Sequence, residues 1–68
     1  MIERPRRGSF YHRVYVDLVC ALKMRESGSI VIRRVAEDRR QPKSLIRHIY
    51  KRYILPQYRA GIKTADLV

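Results

Sequence analysis

Residues 30–53, IVIRRVAEDRRQPKSLIRHIYKRY, decide the fold. In the first half Val31, Ile32, Val35 and Ala36 share one face at helical spacing. Arg39-Arg40-Gln41 interrupts that face, and Pro42 follows, a residue suited to a first helical position where a missing N–H costs nothing. Proline also turns the preceding residue away from helical dihedrals, so the break is expected at Gln41. Beyond it Ile46, Ile49, Tyr50 and Tyr53 recur at i, i+3, i+4 and i+7. Ser44, Arg47, His48 and Lys51 repeat at the same spacing and are polar or basic throughout. The stretch therefore predicts two short helices and a tight turn, the second helix burying one side and offering a cationic side to an anion.

Upstream, Tyr11, Val14, Tyr15, Leu18, Val19 and Leu22 form a core stripe that predicts a helix over 10–26. Val16, Cys20 and Met24 lie nearly opposite it. A second apolar face on so small a domain calls for a cover. Two covers are expected, the C-terminal segment through Tyr58, Ile62, Leu67 and Val68, or a second copy in a homodimer. Gly28 suits a left-handed residue closing this helix, and Ser29 an N-cap opening the next. Helix 2 is then expected over 30–39 and helix 3 from Pro42 to Ile54, closed by Leu55-Pro56. The predicted core is Val14, Leu18, Leu22, Ile32, Val35, Ala36, Ile46, Ile49 and Tyr53. The fold class expected is all-α, a three-helix bundle with a helix-turn-helix. Its parts are a flexible basic arm at 1–9, a domain at 10–56 and a short C-terminal appendage at 57–68.

Charge narrows the partners. Among 68 residues, sixteen Lys and Arg stand against six Asp and Glu, a net charge of +10. Such an excess favours a polyanion, with nucleic acid the default. A hydrophobic fraction of 46% separates the chain from a disordered basic tail. The length allows one small domain. The charge is spread over several segments, which disfavours a membrane-surface helix, and neither a spanning run nor a signal peptide is visible. Cys20 stands alone, which rules out an intramolecular disulfide and a cysteine zinc site and fits a reducing cytoplasm. It is expected to be inert packing. His12, His48 and the carboxylates Asp17, Glu37, Asp38 and Asp66 form no local catalytic or metal motif. No enzyme, metal or cofactor is expected. Glu37 and Asp38 are expected to pair with Arg33, Arg34 or Arg40.

The run Arg34-Val35-Ala36-Glu37-Asp38, a turn, then Lys43-Ser44-Leu45-Ile46-Arg47-His48-Ile49-Tyr50 resembles the N-terminal domain of tetracycline-repressor-family regulators. Ala36 matches the small residue where two helices approach, and Val35, Ile46 and Ile49 match the apolar positions between them. Arg40 stands where that family usually has glycine, a position needing φ > 0. Apolar neighbours of that glycine are replaced by Arg39 and Gln41. The resemblance covers about a third of the chain. It implies a small sequence-specific double-stranded-DNA-binding protein reading the major groove with helix 3, and the size of the chain suits a compact transcriptional regulator or a phage or plasmid accessory factor. Gln41, Lys43, Ser44, Arg47 and His48 would meet bases or nearby phosphates, with Arg40 in the turn and Lys51 and Arg52 on phosphates. Arg4-Pro5-Arg6-Arg7-Gly8 is similar to the minor-groove arms of homeodomains and Hin-type invertases, and is equally a solubilising terminus. Two alternatives stay open. One is a small basic RNA-binding or ribosomal protein whose five tyrosines stack on bases; the other is a module that captures an acidic protein.

Overall fold

A computed structural model describes residues 2–67. Three helical segments pack around one apolar centre, and no strand occurs among the described residues. Helix α1 spans Phe10–Lys23, α2 Gly28–Arg39 and α3 Lys43–Ile49. α3 continues with helical dihedrals into a π turn, Tyr50–Ile54, and then into α4, Leu55–Arg59. A 3-10 turn, Thr64–Asp66, follows.

All nine predicted core residues are buried. Tyr15, Val19, Val31, Ile54 and Leu67 join them. Ala36, 4% exposed, is the smallest of these core side chains.

The helix ends depart from expectation. α1 stops at Lys23, because Arg25 takes left-handed dihedrals at φ +66° and its N–H returns to the Leu22 carbonyl at 3.0 Å. Gly28 is therefore not the closing residue. It opens α2, with Ser27 rather than Ser29 in the cap position. Its lack of a side chain serves contact instead, since a Cβ there would stand 2.8 Å from the Tyr50 hydroxyl and 3.2 Å from its Cζ. The α2–α3 turn is closed by a left-handed residue. Arg40 lies at φ +52°, and the Gln41 N–H closes on the Ala36 carbonyl at 2.9 Å.

Pro56 does not end the third helix. The π turn inserts one residue, so that the Leu55 N–H reaches back to the Tyr50 carbonyl. Pro56 then falls in the first turn of α4, where its missing N–H is tolerated. The rod runs on to Arg59 and closes at Gly61, φ +86°, with the Ile62 N–H on the Gln57 carbonyl at 3.0 Å. This extension buries Gln57 completely. Its amide donates to the Tyr15 hydroxyl at 2.6 Å and to the Tyr53 carbonyl at 3.0 Å.

Leu67, 2% exposed, seats the C-terminal segment against α1. It does not cover the second apolar face. Val16 remains 41% and Met24 74% exposed, and Cys20 is exposed rather than packed. Val68 lies outside the described residues. The expected ion pairs are also rearranged. Arg34 bonds Glu26, and Arg39 bonds Asp17 across to α1 at 2.6 Å, while Glu37 and Asp38 form no ion pair among the described residues. No described helix is long and apolar enough to cross a membrane.

Candidate nucleic-acid interface

α3 presents Lys43, Ser44, Arg47 and His48 to solvent, and the π turn adds Lys51 and Arg52. The opposite side carries Ile46, Ile49 and Tyr53 into the core, so burial of the apolar stripe fixes where the basic one points. Arg40 is exposed in the turn just before α3, and Gln41 is half-buried beside it.

The exposed face has two unlike edges. On one, Lys43, Arg47 and Lys51 line a groove with Ser29, Ile32 and Arg33 of α2, floored by Gly28, Tyr50 and Leu55. Among the described residues no carboxylate lines it. Four cations thus share one concavity whose apolar walls lower the local dielectric. Gly28 and Tyr50 also border a second cleft, which carries Lys23, Arg25, Glu26, Tyr58 and Thr64. Burial, with a smaller contribution from Tyr58, holds the Tyr50 phenol above its ordinary range.

On the other edge the His48 ring meets Tyr11 edge-on, with centroids 6.4 Å apart. Arg52 lies over the Tyr53 ring, its Cζ 5.2 Å from the centroid, and bonds Glu3 of the arm through Nη2 at 2.6 Å and Nε at 3.3 Å. The hydrogen bond from Arg52 holds the Glu3 carboxyl below the ordinary carboxylate range, and Glu3 in turn raises the guanidinium.

The chain matches no protein-family model, no curated protein and no solved structure.

The structure brings Lys43, Arg47 and Lys51 together and keeps Ser44 and His48 on the same outward face. It does not bring the arm to the groove. Arg4 and Arg7 line a separate cleft with Pro5, His12 and Tyr15, and Arg6 is exposed. Pro5 is buried there, and the Ser9 hydroxyl ties the arm to α1 by donating to the Arg6 carbonyl at 2.6 Å and accepting from the His12 N–H at 3.1 Å. Arg33 is a groove residue that the sequence reading passed over. Its signal was present, because Ser29 and Arg33 are four apart and share a polar edge of α2. Among the described residues no group of three His, Cys, Asp or Glu side chains could hold a metal ion.

Proposed function

We propose that this protein binds double-stranded DNA through the outward face of α3, as a small transcriptional regulator or phage or plasmid accessory factor in the cytoplasm. The observation that carries the reading is the acid-free groove in which Lys43, Arg47 and Lys51 of the rod converge with Arg33 of α2. A short helix with one wholly polar side has the dimensions to enter a major groove, and flanking cations hold its register on the phosphates. Arg47 and Gln41 are the candidate base readers, and Lys43, Lys51, Arg33 and Arg40 the candidate phosphate contacts. Duplex DNA is favoured over unpaired RNA by the tyrosines. Tyr15 and Tyr53 are buried and Tyr11, Tyr50 and Tyr58 half-buried, so none stands free as a stacking platform. A second copy would pair through the exposed Val16, Cys20 and Met24, and Met24→Lys would dissociate it in sedimentation.

Base readers and phosphate contacts fail differently, which supplies the test. Arg47→Ala is expected to cost about 1–3 kcal/mol on a preferred duplex and to relax base preference. Lys51→Ala is expected to weaken all duplexes alike and to lower the salt slope by about one. Identical behaviour of the two variants on selected and random duplexes would remove α3 as a reading helix. Tighter binding of structured RNA, indifferent to both changes, would move the assignment to RNA.

A further inference from the structure

Among the described residues, Arg52 is the one cation on the outward face of the rod that already holds an anion. The contact has the form of a fork. Nη2 and Nε donate to the two carboxylate oxygens of Glu3 at 2.6 and 3.3 Å. The guanidinium is also held in place from behind. It lies over Tyr53, which is 5% exposed and braced edge-on by Tyr11 and Tyr15, with centroids 6.4 and 6.3 Å away. A preset guanidinium plane accepts any group that offers two oxygens on one edge, and a phosphodiester does so as a carboxylate does. Glu3 comes from 49 residues away in sequence, on an arm that otherwise carries Arg4, Arg6 and Arg7.

We infer that the Arg52 fork is a phosphodiester site of the DNA-binding face and that Glu3 occupies it in the free chain as an internal competitor. The inference rests on the reading of the α3 face given above. Entry of a backbone phosphate expels the carboxylate and releases residues 2–4 from the rod, while buried Pro5 keeps the remainder of the arm close. Competition of this kind is mild. Glu3 and Arg52 are exposed, and an exposed ion pair shifts an equilibrium only a few-fold. The device therefore trims affinity for an arbitrary duplex without abolishing it.

The test is a double-mutant cycle on the full chain, with a mixed-sequence DNA duplex titrated at two salt concentrations and circular dichroism melts to verify folding. Glu3→Gln is expected to tighten binding about two- to fivefold at low salt and to leave the salt slope within about one of wild type, because Arg52 meets the same phosphate in both complexes. In an Arg52→Ala background the same change is expected to do nothing. If the gain persists in that background, Glu3 acts only as bulk charge and the fork is not the site. If wild type and Glu3→Gln bind equally well, the competitor is refuted while the DNA reading stands. If neither binds any duplex, both fall together.

Discussion

Lys43–Ile49 and residues 50–59 belong to one helical rod but use their side chains differently. The first half buries Ile46 and Ile49 and leaves five of its seven residues wholly or partly in solvent. The second half buries Tyr53, Ile54 and Gln57 and carries Tyr58 partly into the same core. The regular half is a display surface on a narrow apolar keel, whereas the half containing the π turn and the proline is a structural plug. Irregular backbone here serves packing on its inner side, while the candidate site stands on the regular part and takes only Lys51 and Arg52 from the outer side of the π turn.

Substitutions in the two halves should separate stability from binding. The largest effect is expected from Ile54→Ala. That side chain is fully buried in the second half, and its loss should cost about 2–5 kcal/mol in denaturant unfolding. Duplex affinity, measured where the variant is still folded, should hold. Gln57→Leu comes next. It keeps the volume but leaves the Tyr15 hydroxyl and the Tyr53 carbonyl without the amide, for a loss of about 1–3 kcal/mol. A neutral result would mean that the buried amide contributes nothing net. The smallest effect has the opposite sign. Arg40→Gly relieves a left-handed arginine and should stabilise by about 0.5–1 kcal/mol after the entropy of glycine is counted, while weakening duplex binding. Arg25→Gly should stabilise similarly, since Arg25 is also left-handed, yet leave the salt slope less affected because it lies outside the α2–α3 groove.

The keel was legible in the sequence because it is periodic. Spacing alone identifies Ile46, Ile49 and Tyr53, and with them the direction of Arg47 and Lys51. The plug was not. Reading Pro56 as a stop assumes a regular helix upstream, and a π turn is a backbone adjustment that no side-chain pattern announces. Gln57 looks like a surface residue until Tyr15, 42 positions earlier, supplies its partner. Arg25 rather than Gly28 is the left-handed residue, and Gly28 instead stands where a Cβ would crowd Tyr50. In the candidate site the α3 stripe was readable. The polar edge that carries Arg33 was readable too, but its meeting with α3 and the pairing of Arg52 with Glu3 depend on tertiary placement, which lies beyond any local window.

A π turn is, in effect, a one-residue insertion that a helix has absorbed. Each residue added to an α-helix rotates everything after it by about 100°. In this chain the residues beyond Tyr50–Ile54 are aimed by that extra step. Deleting one residue within the turn would restore an unbroken α-helix on paper. It would also swing Gln57 more than a quarter turn away from Tyr15 and put the proline ring against the carbonyl column. The length of this segment is thus as much a specification as its composition. The core tolerates an exchange of similar side chains at 50–54 far more readily than a change in their number.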